Sequence, residues 1–110
     1  MTENVLVSYA PATGEELWRA PFGDVEASVS RARRAWPGWA AKALSNRIEL
    51  ARRFANEVRA DADKLAELIA QETGKPLWEA RTEVDAVIAK VEISVQAYAC
   101  LLYTSDAADE

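Results

Sequence analysis

The sequence predicts a mostly α-helical chain that opens on a β-hairpin and continues through about four helices. Three observations carry that expectation. Two short β-type runs flank Pro11-Ala12-Thr13-Gly14, where Pro presets φ for the second turn position and Gly tolerates the exit. From Asp24 onward, apolar residues recur at spacings of three and four, the period of a helix with one face turned inward. The helical stretches are bounded by residues suited to capping or ending a helix.

Val5 to Ala10 forms the first strand, with Val5, Val7 and Tyr9 on one side. Glu15 to Ala20 forms the second, with Leu17 and Trp18 on opposite faces. Asp24 caps a first helix whose stripe is Val25, Val29, Ala32 and Trp36, and Pro37-Gly38 ends it. Ser45 caps a second helix with Ile48, Ala51, Phe54, Ala55 and Val58 on one side. Its other side carries Arg47, Glu49, Arg52, Arg53 and Asn56. Asp61 caps a third, with Leu65, Leu68 and Ile69 inward. Gly74 is the left-handed stop, and Pro76 opens a fourth helix as its first residue. Leu77, Ala80, Val84, Val87, Val91, Ser94 or Val95, and Tyr98 line that helix, with Ile88 widening the stripe. The face suits packing inside a globular protein better than a coiled-coil seam.

Composition narrows the function. The 110 residues have room for one small domain, and half are hydrophobic, which excludes a disordered polyelectrolyte. A net charge of −5 argues against a nucleic-acid surface. Arg31, Arg33, Arg34, Arg52 and Arg53 are offset by Glu26, Glu49 and Glu57. No apolar run approaches the roughly 20 residues of a bilayer span, and Met1-Thr2-Glu3-Asn4 lacks the basic start and apolar stretch of a signal peptide. No membrane partner is expected. The single cysteine, Cys100, fits a reducing, cytoplasmic compartment. The lack of histidine removes imidazole triads and imidazole metal sites.

The motif search returns little chemistry. Gly14, Gly23, Gly38 and Gly74 are too far apart to build a dinucleotide or phosphate loop. No CxxC or His/Cys cluster offers a metal site. Glu79, Glu83 and Asp85, with Arg81 and Lys90 nearby, read as a solvated face with ion pairs rather than an acid–base cluster. Thr82-Glu83-Val84-Asp85 matches a capping box but falls inside a helix. With no histidine in the sequence to activate it, Cys100 is not expected to be a nucleophile. The run Cys100 to Glu110 drops the helix-face pattern and resembles the translation of a transposase sequencing adapter. Native sequence is therefore expected to end near Ala99, with residues 100–110 a non-native tail left out of fold reasoning.

Two motifs speak for a family. Pro11-Ala12-Thr13-Gly14-Glu15 resembles the PATGE turn of aldehyde dehydrogenases. Glu72-Thr73-Gly74-Lys75-Pro76 resembles the ExGKP segment about 60 residues later in that family. Asp24-Val25, Ala35-Trp36, Trp39 and Arg47 agree in order between them, so the resemblance covers roughly residues 8 to 99. Glu72 to Ala80, Thr82-Glu83-Val84, Lys90 and Ala97-Tyr98 resemble more closely the N-succinylglutamate 5-semialdehyde dehydrogenase subgroup of bacterial arginine catabolism.

The resemblance implies a parent α/β enzyme of Rossmann-like aldehyde dehydrogenase fold. Residues 1–99 would be an incomplete N-terminal part of its NAD-binding domain. The parent would be a cytoplasmic homo-oligomer that oxidises a small aldehyde with NAD or NADP. In the family, a cysteine thiolate attacks the aldehyde, hydride passes to the nicotinamide, and a glutamate-activated water hydrolyses the thioester. Those groups lie far beyond position 99, so no catalytic, cofactor-binding or metal residue is carried over. The 110 residues alone are expected to be inactive, to bind no cofactor, and to self-associate. In the family, the helix corresponding to Leu77 to Tyr98 lines part of the substrate tunnel. That implies Val87 and Lys90 as tunnel residues, with Val87 alternatively plain core. Competing readings are a small non-catalytic helical interaction module, or an aldehyde dehydrogenase for a generic semialdehyde or betaine aldehyde.

Overall fold

The structure is a computed structural model that describes residues 4–108, with side chains for residues 4–103. It holds β1 (Val5–Tyr9), β2 (Glu16–Pro21), α1 (Val25–Ala40), α2 (Leu44–Ala60), α3 (Ala62–Thr73) and α4 (Leu77–Ala108). The hairpin and the four-helix order are as expected.

The two strands pair antiparallel, with Ser8 opposite Trp18 and a bulge between Ser8 and Tyr9. Gly14 closes the turn at φ 76°, a backbone region that costs a Cβ-bearing residue about 1–2 kcal/mol. Its amide donates to the Ala10 carbonyl at 2.7 Å, and the Ala10 amide donates to the Glu15 carbonyl at 2.8 Å.

Helix boundaries follow local chemistry, with four corrections. Asp24 does cap α1, its Oδ1 accepting from the Ala27 amide at 2.9 Å. Pro37-Gly38, however, does not end that helix, which runs to Ala40. Proline's fixed φ is helical, and what it removes is one donor to a carbonyl that solvent can reach. Ser45 is not the cap of α2. Ala43 holds that position with φ −55° and ψ 143° and no side-chain bond. Its carbonyl accepts from the Asn46 and Arg47 amides. Asp61 stands at the N-cap of α3 as expected but makes no capping hydrogen bond. Its φ of −100° and ψ of 13° depart from the extended backbone that aims a capping carboxylate at the helix amides. Gly74 ends α3 in the left-handed conformation, φ 76°, its amide donating to the Ala70 carbonyl. Pro76 precedes α4 by one residue, and its carbonyl accepts from the Glu79 and Ala80 amides.

The fourth correction concerns α4, which does not stop at Tyr98 but runs to Ala108. Leu101 is 71% and Tyr103 77% exposed. By length and mean hydropathy, Leu77–Tyr103 contains a window apolar enough to cross a bilayer, which corrects the expectation that no apolar run approaches that length. Here α4 packs against α2 and α3 instead.

The core is small. Ala66, Ala80 and Val84 are buried at the α3–α4 contact, with Val58, Leu65, Ile69 and Ile88 packed around them. The small alanines let the two helices approach closely. No residue of α1 is buried. The radius of gyration is 19.3 Å, against about 13 Å for a compact chain of this length. The accessible surface of 8897 Å² exceeds the roughly 6,000 Å² of a compact monomer of this mass.

Candidate functional site

The expected site residues, Val87 and Lys90, meet at one place. There α2 and α4 together line an open groove of about 500 Å³. Its apolar walls include Leu44, Ile48 and Phe54 from α2, and Val87, Val95 and Tyr98 from α4. Phe54 remains 56% exposed and Val87 46% exposed. Val87 also borders a second hollow beside Leu65, Ile69 and Val84, so it sits at the edge of the core rather than inside it.

The polar lining of the groove is Arg47, Lys90 and Ser94 with the Tyr98 hydroxyl. The Ser94 hydroxyl donates to the Lys90 carbonyl at 2.8 Å. Among the described residues, no aspartate or glutamate lines the groove. Arg47 was expected on the polar side of α2, yet it lines the groove, and its Nε is buried without a hydrogen-bond partner. Its spacing to Ala51 and Phe54 is four and then three, so it shares their helical row. That spacing was the available signal, overridden by the charge.

A second meeting point joins the two motifs. The Ser8–Trp18 pairing sets both side chains on one side of the hairpin. Both donate to Glu72 Oε1 on α3, Ser8 Oγ at 2.8 Å and Trp18 through its indole Nε1. Pro11 lies against Gly74, whose absent Cβ would sit 3.1 Å from Pro11 Cγ. Pro11-Ala12-Thr13-Gly14-Glu15 and Glu72-Thr73-Gly74-Lys75-Pro76 thus form one joint, which holds the hairpin on the α3–α4 corner.

Glu79, Glu83 and Glu92 of α4 are paired, though not with Arg81 or Lys90. Lys75 Nζ bonds Glu83 and lies 3.9 Å from Glu79, while Arg81 faces Asp63 at 3.9 Å. The hydrogen bond to Glu83 holds the Lys75 ammonium above its usual range. Across α2 and α4, Arg52 Nε and Nη2 grip Glu92 at 3.1 Å each. That fork lowers the Glu92 carboxyl and raises Arg52. Cys100 is exposed on α4 and outside the groove lining.

Chemically, the groove can hold an elongated apolar molecule bearing negative charge, and among the described residues its lining holds no carboxylate to act as a base. Nor do the described residues fit a nicotinamide dinucleotide. Such a site needs a strand, a glycine-rich turn and a helix within a parallel unit. The sheet here is two antiparallel strands, and the two positive-φ glycines serve the hairpin turn and the end of α3.

Comparison with known proteins agrees with the motifs. The aldehyde dehydrogenase family model matches residues 2–108. The chain is 68% identical over 99 residues to the N-succinylglutamate 5-semialdehyde dehydrogenase of Novosphingobium aromaticivorans, covering 90% of this chain and 21% of that protein. It is 62% identical over 94 residues to that of Sphingopyxis alaskensis, covering 86% and 20%. It is 47% identical over 94 residues to that of Pseudomonas fluorescens, covering 83% and 19%. The chain spans about a fifth of the length of the curated relatives it matches.

Proposed function

The chain belongs to the aldehyde dehydrogenase family, and from that premise we propose that it is part of an enzyme oxidising N-succinylglutamate 5-semialdehyde to its carboxylate with NAD or NADP. In the net reaction the aldehyde carbon gives up a hydride to the nicotinamide and gains an oxygen from water, with release of two protons. The 68% identity to the Novosphingobium aromaticivorans enzyme is the observation that carries the substrate. The same reading puts the enzyme in the cytoplasm as an assembly of several copies.

The part played by these residues is to form one wall of the substrate's path. Val87 and its apolar neighbours exclude water from the aldehyde chain, and Lys90 stands at the polar edge of that wall. The joint of Glu72 with Ser8 and Trp18 holds the hairpin against the helices. No step of hydride transfer is assigned to a residue of this chain, and residues 1–110 by themselves are inactive in this reading.

The test exchanges this chain for the matching 99-residue segment of the Novosphingobium aromaticivorans relative. Formation of reduced nicotinamide is then followed with N-succinylglutamate 5-semialdehyde. Turnover with kcat/KM near that of the relative is expected. A soluble, folded chimera that oxidises other aldehydes but not this one would overturn the substrate. The isolated chain, assayed alongside, should give no turnover.

A further inference from the structure

We propose that the end of α4 from a second copy of this chain lies in the α2–α4 groove, so that two copies pair reciprocally through their longest helices. The proposal goes beyond the functional reading above and does not depend on it.

Continuity of one apolar face is the first argument. Val87, Val91, Val95 and Tyr98 of the groove lining recur at spacings of three and four. Leu101 and Leu102 stand three and four residues after Tyr98 and continue the same row, where the sequence pattern was expected to lapse at Cys100. Leu44, the first residue of α2, already shares the lining with Tyr98, so the groove ends there while α4 goes on. Beyond it Leu101, Leu102 and Tyr103 are 71%, 49% and 77% exposed.

The helix itself selects the occupant. Because α4 is unbroken from Leu77 to Ala108, its end runs past its own groove and cannot turn back into it. The identical end of another copy can. Crossing two α4 helices antiparallel at Tyr98 sets Leu101 of each copy opposite Val95 of the other, and Leu102 opposite Ser94. The arrangement is self-complementary, as a two-fold interface must be. It is also the helix-in-groove mode, apolar anchors at three- and four-residue spacing laid on an apolar floor. The accessible surface of 8897 Å² exceeds that of a compact monomer by more than the roughly 1,600 Å² that a specific interface buries.

Charge complementarity is the second argument. Arg47 and Lys90 are the two cations of the groove lining. Neither has an ion-pair partner among the described residues, since the nearby Glu49 and Glu92 are engaged by Arg53 and Arg52. The end of the chain has the opposite character. No lysine or arginine follows Lys90, and after Glu92 the charged side chains are Asp106, Asp109 and Glu110. The crossing at Tyr98 sets Asp106 of each copy opposite Lys90 of the other. An acid at a helix C-terminus adds to the negative end of the helix dipole, and the last turn of α4 has no basic residue to offset it. The cations of a second copy's groove supply that offset.

The experiment is sedimentation equilibrium of the 110-residue chain, its Lys90→Glu and Asp106→Lys variants, and an equimolar mixture of the two variants. Lys90 is exposed, so its replacement leaves the core intact. The unaltered chain should form dimers. Each variant alone opposes like charges at both contacts and should raise the dimer Kd about tenfold. In the mixture, the new glutamate of one variant meets the new lysine of the other, while Asp106 of the first meets Lys90 of the second. Mixed dimers should therefore regain the Kd of the unaltered chain. A monomeric unaltered chain would leave the groove to some other occupant and overturn the pairing. Equal association in all four samples, as adhesion through the exposed face of α1 would give, would overturn it too, and so would variants that dissociate without recovery on mixing. No aldehyde or cofactor enters the measurement, so its failure is separate from a failure of the functional reading.

Discussion

Replacing Gly74 with alanine should loosen a hairpin more than fifty residues away in sequence, and the size of the effect can be worked from the joint. Gly74 has φ 76°, where a Cβ costs about 1–2 kcal/mol. The new Cβ would also stand 3.1 Å from Pro11 Cγ, so Pro11 must give way or the hairpin must shift. Neighbours coupled in this way show interaction energies of about 0.5–3 kcal/mol. The lower half of that range fits an exposed proline ring. Gly14 offers the control. It has the same φ of 76°, but nothing lies within 4 Å of its Cβ position, so Gly14→Ala shows the backbone cost alone. Amide hydrogen exchange read by mass spectrometry separates the two effects. In Gly74→Ala, the Ala10 amide, which donates to the Glu15 carbonyl, should exchange about 2- to 20-fold faster, following 1.4 kcal/mol per factor of ten. In a Pro11→Ala background, where Cγ is gone, Gly74→Ala should leave the Ala10 amide unaffected while still weakening the end of α3. Equal exchange at Ala10 in the parent and in Gly74→Ala would refute the argument that the two motifs are mechanically joined.

Three further outcomes follow from the same structure. The isolated chain should self-associate and bind the dye ANS, because Val25, Trp36, Phe54 and Trp78 are 76%, 64%, 56% and 68% exposed and patches of that kind drive association; a sharp melt from a strictly monomeric sample in light scattering would contradict it. Glu72→Ala removes the acceptor for Ser8 and Trp18 and should free the hairpin by about 1–2 kcal/mol, seen as red-shifted Trp18 emission in a variant keeping only that tryptophan; an unshifted spectrum would count against the joint. Glu92 is held below its ordinary 4.5 by the hydrogen bond from Arg52, so its stabilising contact is present above that value and is lost as the pH falls through the lowered one. Chemical shifts of α2 and α4 amides near this pair should therefore move below about pH 4.5, and Glu92→Gln should abolish that movement.

Much of the fold was legible because its signals are local. The turn at Pro11 to Gly14, the Asp24 cap and the Gly74 stop each depend on a few bonded neighbours, and side-chain chemistry at one position decides them. Local signals misled where several competed at one boundary. Pro37 was compatible with the helix it was expected to end, and Ser45 lost the cap of α2 to Ala43. The groove was half legible. The resemblance pointed to Val87 and Lys90, while Arg47 was assigned to the polar side of α2 by its charge although its spacing places it in line with Ala51 and Phe54.

By itself, the sequence determined the order and type of the elements, the family, and the absence of any imidazole chemistry. Tertiary structure alone decided which distant groups meet. Glu72 reaches Ser8 and Trp18 because the hairpin register puts those two opposite each other. Glu83 pairs with Lys75 rather than with a cation on its own helix, because Gly74 and Pro76 turn the chain so that Lys75 lies beside the first turns of α4. Arg47 and Lys90 share a groove because α2 and α4 pack side by side and set one residue on each wall. Helix propensity and periodicity are set by neighbours within about four residues, whereas strand register and helix crossing depend on the shapes of faces that come together only in the folded chain.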